Sequence, residues 1–121
     1  MTDPVRILIA DDHPQTRAGV RDMLENDGFV VCAEVGNGKA AVEAALAEQP
    51  DVCLLDIRMP GSGIAAAAEI SAALPGTAIV MLTASRDDAD LFDALRRGMR
   101  LPPEGRRALR ASGRSQRRAR R

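Results

Sequence analysis

The feature that most constrains this sequence is an apolar run that ends on a carboxylate and is then broken by a Pro–Gly pair. Residues 52–55 form the run, Asp56 ends it, and Pro60 and Gly61 follow. A short, continuous apolar run suits a strand that is buried on both faces of a parallel sheet. In an open α/β sheet, ligands bind in the crevice beyond the carboxyl ends of the strands. Asp56 is therefore a candidate site residue, although an Asp that caps the next loop would occupy the same position.

The first strand ends in the same way. Residues 5–10 are strand-like, and Asp11 and Asp12 follow them directly. Two neighbouring parallel strands would then bring three carboxylates to one edge of the sheet. Such carboxylates repel one another unless a cation or a proton separates them, and hard oxygen ligands of this kind suit Mg²⁺. The alternative is that Asp11 and Asp12 cap the helix that begins near Pro14, and the two roles are compatible.

The pattern of apolar residues and turn signals continues as an alternation of strands and helices. It predicts strands at about residues 5–10, 29–35, 52–55 and 78–82, and helices at about residues 14–27, 39–48, 64–74 and 87–97. This alternation predicts an α/β fold with a doubly wound parallel sheet. The glycines do not have the G-x-G-x-x-G spacing of a dinucleotide site, and no Walker Lys-Ser/Thr pair is present.

The length and the composition set further bounds. The 121 residues suit one domain. No run is long enough to span a bilayer and no signal peptide is evident, so we expect a cytoplasmic protein without a membrane partner. Cys32 and Cys53 lie in apolar runs, which favours buried free thiols over a disulfide or a metal site.

The charges divide sharply along the chain. Residues 1–95 carry 6 basic and 16 acidic side chains, whereas residues 96–121 carry 11 basic side chains and 1 acidic. An asymmetry of this size indicates two regions with different physical roles or different origins. We expect residues 1–98 to form the folded domain and residues 99–121 to be an Arg-rich tail that is disordered or loosely helical.

Three motifs at the ends of successive strands carry a resemblance to a known family. They are Asp11-Asp12, Asp-Ile-Arg-Met-Pro-Gly at 56–61 and Leu-Thr-Ala at 82–84. With these motifs in this order, the chain resembles the receiver domain of two-component response regulators, which has a flavodoxin-like fold. Residues 83–96 are most similar to the LuxR/NarL-type transcription regulators, which carry a helix-turn-helix output domain.

The resemblance implies a role for each matching residue. Asp56 would be the phosphoacceptor that attacks the phosphohistidine of a sensor kinase. Asp12 and Asp56 would bind Mg²⁺ together with the backbone carbonyl of Arg58, and Asp11 would act largely through water. Thr83 would donate its hydroxyl to a phosphoryl oxygen, although capping of the next helix is an alternative. The chemistry fits, because a carboxylate needs a nearby cation to approach an anionic phosphoryl group.

The resemblance also implies the partners. We expect a sensor histidine kinase, no enzyme activity of the chain itself, and DNA contact only through an output domain absent from this chain. A homodimer is left open. His13 is expected to start the first helix beside the acids and not to act as a catalytic base.

The family pattern breaks after residue 98. Receivers of this subfamily have a fifth strand that reads Gly-Tyr-Leu-Leu-Lys, whereas residues 99–105 read Met-Arg-Leu-Pro-Pro-Glu-Gly, and the only Lys of the chain is Lys39. Prolines do not fit a central strand. We therefore predict that the fifth strand and the last helix are missing, that strand four is an open edge, and that the isolated chain aggregates or folds only in part.

We hypothesise a frameshift near Gly98, in the gene or from an assembly error, to account for the break; C-terminal truncation is the alternative. Residues 99–105 can be encoded as ATG CGG CTA CCT CCT GAA GG, and the same string read one nucleotide later encodes Cys-Gly-Tyr-Leu-Leu-Lys. The codons are chosen among synonyms, so they show compatibility. The nucleotide sequence of the gene tests the hypothesis directly.

Two alternatives to a phosphoaccepting receiver follow from the same residues. Loss of the family's Lys could leave a phosphorylation-impaired remnant or an interaction module. The Arg-rich tail could instead bind nucleic acid without sequence preference, since Arg clusters bind phosphates, or it could neutralise the acidic domain.

Overall fold

The computed structural model describes residues 3–82 and 108–111, and the fold follows from these two ranges. The elements are β1 (Arg6–Ala10), α1 (Pro14–Asn26), β2 (Val30–Val35), α2 (Gly38–Glu48), β3 (Val52–Asp56), α3 (Gly63–Ala73), β4 (Ala78–Leu82) and β5 (Ala108–Ala111). Each strand and helix expected up to residue 82 is present within two residues of its expected bounds. The helix expected at residues 87–97 lies outside the described residues.

The strands form one parallel sheet. Its order is β2-β1-β3-β4-β5, and every neighbouring pair runs in the same direction. The crossover from β2 at one edge to β3 on the far side of β1 is the feature that makes the sheet doubly wound. The predicted fold class is confirmed.

The core lies on both faces of this sheet, because neighbouring residues of a strand point to opposite sides. On the face that α1 covers, Ile7, Ile9 and Leu54 pack with Leu24. On the opposite face, buried strand residues pack against Ala41 and Ala45 of α2 and against Ala66 and Ile70 of α3. All five residues of β3 and of β4 are buried, as expected for strands covered on both faces.

Local signals explain where the helices begin. Pro14 opens α1, a position where its missing N–H costs no helical hydrogen bond. The side chain of Asn37 accepts a hydrogen bond from the Ala40 N–H at 2.8 Å and caps α2. Ser62 caps α3 in the same way, with its hydroxyl accepting from the Ala65 N–H at 3.1 Å.

The pairing of β1 with β2 contains one irregularity. Ile7 pairs with Val31, whereas Leu8 pairs with Ala33, so Cys32 is an extra residue in β2. An extra residue of this kind is a β-bulge, and it reverses the side of the sheet on which the following residues lie. Val31 accordingly packs in the α1-side core, while Ala33 packs on the opposite side.

The prediction that residues 99–121 contain no paired strand was wrong. Residues 108–111 form β5, which pairs with β4 from Ile79↔Ala108 to Leu82↔Ala111. The error came from judging strand formation by apolar content, whereas a strand is held by backbone hydrogen bonds that Ala-Leu-Arg-Ala can supply. The Pro102–Pro103 pair precedes the strand and does not interrupt it. β4 is therefore paired on both sides, which removes the open edge as a reason for expecting aggregation, whereas the prediction that the last helix is missing lies outside the described residues.

Candidate functional site

Acidic side chains converge where β1 and β3 end. Asp11 follows β1, Asp56 is the last residue of β3, and the two strands are direct neighbours in the sheet. One potential ligand atom from each of Asp11, Asp12, His13 and Asp56 lies within 4.8 Å of the others. The expected convergence of three carboxylates is thus confirmed.

The two innermost carboxylates are held by backbone N–H groups of their own loops. Asp11 is 1% exposed and its Oδ1 accepts from the His13 N–H at 2.9 Å. Asp56 is 8% exposed and its Oδ1 accepts from the Arg58 N–H at 3.0 Å. Within residues 3–82, no further hydrogen-bond donor reaches the Asp56 carboxylate. Each acid is thereby oriented through its Oδ1 atom.

His13 belongs to the cluster as well as to the helix. It is the residue before α1, with an extended backbone and no side-chain cap. Its Nδ1 lies 3.1 Å from Oδ1 of Asp12 and 3.3 Å from Oδ1 of Asp11, while the ring is largely exposed. The expectation that His13 starts the helix beside the acids is confirmed. The capping expected of Asp11 and Asp12 is not found: His13 is the N-cap residue, and Asp11 accepts from the N–H of His13 itself and not from an N–H within the helix.

The donor set fits a hard divalent cation. Carboxylate oxygens are the ligands that Mg²⁺ prefers, and their mutual repulsion is relieved when a cation lies between them. Asp12 is the most accessible of the three acids, with a side chain that is 33% exposed. The cluster can therefore hold a metal ion.

Two glycine contacts shape the loop that follows Asp56, and sequence reasoning missed both. A Cβ on Gly63 would overlap the carbonyl oxygen of Asp56 far inside contact distance. A Cβ on Gly38 would lie 2.7 Å from the carbonyl oxygen of Gly61. The Gly38 N–H also donates to the Pro60 carbonyl at 2.8 Å. These glycines had the signature of turns, but the packing of one loop on another leaves no local sequence pattern.

An ion-pair network beside the acids was also missed. Arg17 of α1 donates from Nη1 to the backbone carbonyl of Asp11 at 2.8 Å, and its Nε lies 3.4 Å from Oε1 of Glu34. Arg21 donates to Oε2 of the same glutamate at 2.7 Å. This hydrogen bond to Glu34, with the nearby charge of Glu25, raises the pKa of Arg21. The i, i+4 spacing of Arg17 and Arg21 shows in the sequence that they share one face of the helix. No local pattern shows that Glu34 on β2 is their partner.

Other predicted residues lie elsewhere or outside the described ranges. Thr83 follows β4 directly and is outside the described residues, so its role stays a prediction. Lys39 lies at the start of α2 and lines a cleft of about 360 Å³ together with Glu43 and Glu69. The one Lys of the chain is therefore separate from the acidic cluster. None of the described helices is long and apolar enough to cross a membrane.

The two cysteines are free, as the sequence predicted. Cys53 is fully buried in β3, and burial raises its thiol pKa to about 12. Cys32 is half-buried, and burial raises its pKa as well. Its Sγ lies 3.6 Å from the Ile7 carbonyl at the β2 bulge. Neither thiol belongs to the acidic cluster.

Comparison with known proteins identifies the family. Residues 7–101 match the response regulator receiver domain family. This chain belongs to that family. It is 42% identical over 99 residues to "Probable transcriptional regulatory protein NarL" of Mycobacterium tuberculosis, an alignment that covers 79% of this chain and 45% of the relative.

Solved receiver structures share the fold. A LuxR-family two-component response regulator from Aurantimonas superposes with a TM-score of 0.74 at 27% identity, covering 88% of this chain and 90% of that one. RcsB from Salmonella enterica, bound to a promoter in the presence of the phosphomimetic BeF₃⁻, superposes with a TM-score of 0.63 at 29% identity, covering 74% of this chain and 46% of that one. The chain thus spans about half the length of NarL and of the RcsB chain.

Proposed function

We propose that this receiver accepts a phosphoryl group on Asp56 from a sensor histidine kinase and does not itself turn over a substrate. The observation that carries the proposal is the placement of Asp56 at the end of β3, beside two further carboxylates. The Oδ2 atom of Asp56 attacks phosphorus, the bond from phosphorus to the kinase imidazole breaks, and the electron pair of that bond goes to the imidazole nitrogen. The product on the receiver is an acyl phosphate.

The neighbouring residues would hold the cation that this transfer requires. Asp12, Asp56 and the backbone carbonyl of Arg58 would bind Mg²⁺ directly, and Asp11 would act largely through water. Bound there, Mg²⁺ supplies positive charge that offsets the repulsion between the carboxylate and the phosphoryl oxygens. The Arg58 N–H donates to Oδ1 of Asp56 at 3.0 Å, which supports Oδ2 as the attacking atom. Thr83 would donate its hydroxyl to a phosphoryl oxygen.

The output of this transfer would be control of transcription in the cytoplasm. Support comes from relatives such as NarL, which is a transcriptional regulatory protein by name, and from RcsB, which is bound to a promoter in the presence of a phosphomimetic. In this proposal, DNA contact belongs to an output domain joined to the receiver. The receiver's part is to change its surface once Asp56 is phosphorylated.

Labelling by a small phosphodonor tests the proposal. Acetyl phosphate should phosphorylate the protein only when Mg²⁺ is present, and Asp56→Asn should abolish the label because an amide is not a nucleophile here. Asp51→Asn is the matched control, since Asp51 lies at the opposite end of β3 and binds the Arg6 N–H. Equal labelling of wild type and Asp56→Asn would refute the proposal.

A second candidate, an interaction module that binds a kinase without accepting phosphate, is favoured by one observation. The family's pocket Lys has no counterpart among residues 3–82, because Lys39 lies in α2 away from the acids. Stable complex formation with a cognate kinase, together with no labelling by acetyl phosphate at saturating Mg²⁺, would select this candidate.

A further inference from the structure

The backbone of Asp11 is held from two directions. Its N–H donates to the Val35 carbonyl of β2 at 3.0 Å, and its carbonyl accepts from Arg17 Nη1 at 2.8 Å. Its side chain is turned inward and accepts from the His13 N–H at 2.9 Å. The peptide unit that joins Asp11 to Asp12 therefore has its orientation set by Arg17. Because Asp12 follows directly on that peptide, the point from which its side chain extends depends on the peptide's orientation, and its carboxylate lies 3.1 Å from Nδ1 of His13.

Arg17 is itself held by a residue on another element. Glu34 accepts from Arg17 and from Arg21, and the side chains of Arg17 and Glu34 are only 23% and 24% exposed. Partly buried pairs are screened less by solvent and salt than fully exposed ones. The Arg17 guanidinium is therefore fixed between the β1–α1 loop and β2.

The bulge at Cys32 places the Glu34 side chain on the face of the sheet that α1 covers. After the extra residue, Glu34 pairs with Ile9, whose side chain lies in the core on the α1 side of the sheet. Without that extra residue, the alternation of β2 would carry Glu34 to the opposite face. Bulges near functional sites commonly change the direction in which a side chain points. The bulge, Glu34 and Arg17 form one continuous chain of contacts that ends at the acids.

We propose that Arg17 is a positioning residue that holds the Asp11–Asp12 peptide so that the Asp12 carboxylate meets Asp56 around a divalent cation. The inference rests on the proposed function, since it assumes that these acids bind Mg²⁺. Arg17 contributes by fixing backbone geometry and touches neither the cation nor the phosphoryl group. Loss of a partner that orients a metal ligand commonly reduces metal affinity 10- to 100-fold.

The proposal is testable because substitution of Arg17 has two opposing effects on Mg²⁺ affinity, one from the lost charge and one from the lost hydrogen bond. Removing a positive charge close to the acids should strengthen cation binding by Coulomb's law. Removing the hydrogen bond to the Asp11 carbonyl should weaken it. Arg17→Lys keeps the charge and loses the planar fork that reaches both the carbonyl and Glu34. Arg17→Gln removes the charge and the fork together.

The experiment is a Mg²⁺ titration of the folded protein, followed through backbone amide resonances of Asp12 and Arg58. Only folded molecules give these resonances, so a purely structural loss of stability would not change the measured dissociation constant. We expect Arg17→Lys and Arg17→Gln to weaken Mg²⁺ binding by about tenfold. Arg21→Gln is the matched control, because Arg21 shares Glu34 but does not contact Asp11, and its affinity should stay within about twofold of wild type.

A second variant keeps the test decisive if Arg17 substitutions unfold the protein. Glu34→Gln leaves Arg17 in place but removes the charge that orients it, and it should weaken Mg²⁺ binding by several-fold. If the wild-type protein binds Mg²⁺ and the Arg17 variants bind it equally well or more tightly, the positioning role is refuted and the metal site stands. If the Arg17 variants do not fold, the same result for Glu34→Gln refutes it. No binding by wild-type protein would overturn the metal site, and the positioning role with it.

Discussion

Gly63, the first residue of α3, packs directly against the carbonyl oxygen of Asp56, so that even one methyl group would not fit between them. The start of α3 thereby fixes the backbone of the proposed phosphoacceptor. The Gly63 N–H also donates to the Ile57 carbonyl at 3.2 Å, which closes the loop after β3.

We therefore predict that Gly63→Ala lowers both stability and phosphorylation. The added methyl group must displace backbone, and overpacking of this kind costs about 1–3 kcal/mol of unfolding free energy. Chemical denaturation measures the loss, and the initial rate of labelling by acetyl phosphate should fall because Asp56 moves. Gly19→Ala is the control: nothing lies within 4 Å of the new methyl group, and the helix should gain roughly 0.5–1 kcal/mol. Equal stability of the two variants would contradict the close packing at Asp56.

Asp12→Ala should weaken Mg²⁺ binding far more than Asp11→Ala. Asp12 is the more accessible acid and is the proposed direct ligand, whereas Asp11 is buried and already accepts a hydrogen bond from His13. We expect a loss of more than about tenfold for Asp12→Ala, since displacing an outer partner alone typically costs 10- to 100-fold. Calorimetric or resonance titration gives both constants. Equal losses from the two substitutions would contradict this division of roles.

The sequence was sufficient for β1 to β4 and for the convergence of the acids. Apolar runs that end on Asp11 and Asp56 specify both the strands and the edge where their carboxylates meet, because parallel neighbouring strands end together. Hydrophobic periodicity and turn residues placed the described helices to within two residues. These are local patterns, and local patterns are what a single sequence displays.

The features that sequence reasoning missed all depend on contacts between distant segments. Gly63 against Asp56 is a packing constraint, and Glu34 reaches Arg17 only because a bulge at Cys32 turns it toward α1. The fifth strand was missed for a related reason. The pairing of residues 108–111 with β4 uses backbone groups, which every residue other than proline offers alike.

A proline in β5 should destabilise the protein. Leu109→Pro removes a backbone N–H from the middle of the strand that pairs with β4 and fixes φ of that residue at about −65°, away from extended strand geometry. We expect a loss of about 1–3 kcal/mol in unfolding free energy, within the range usual for single substitutions that disturb the backbone. Ala119→Pro, beyond the bounds of β5, is the control and should change stability by less than about 0.5 kcal/mol. A similar effect of both substitutions would argue against the pairing of β5 with β4.

Alkaline pH should destabilise the protein through Cys53. Burial raises the pKa of this thiol from 9.0 to about 12, so the folded state keeps a proton that the unfolded state releases. Stability should therefore fall as the pH rises above about 9, by up to about 1.4 kcal/mol per pH unit from this group. Cys53→Ala should show a correspondingly weaker dependence between pH 9 and 11 when denaturation curves are compared. An identical slope in both proteins would contradict the assignment to Cys53.

Mapping of the acyl phosphate tests most directly whether Asp56 carries the phosphoryl group. Protein labelled by acetyl phosphate and Mg²⁺ is reduced with borohydride, which converts a phosphorylated aspartate to homoserine, and the modified residue is located by peptide sequencing. The account predicts homoserine at position 56 and unmodified Asp11 and Asp12. Homoserine at position 11 or 12, or none at position 56 in protein that carries the label, would contradict it.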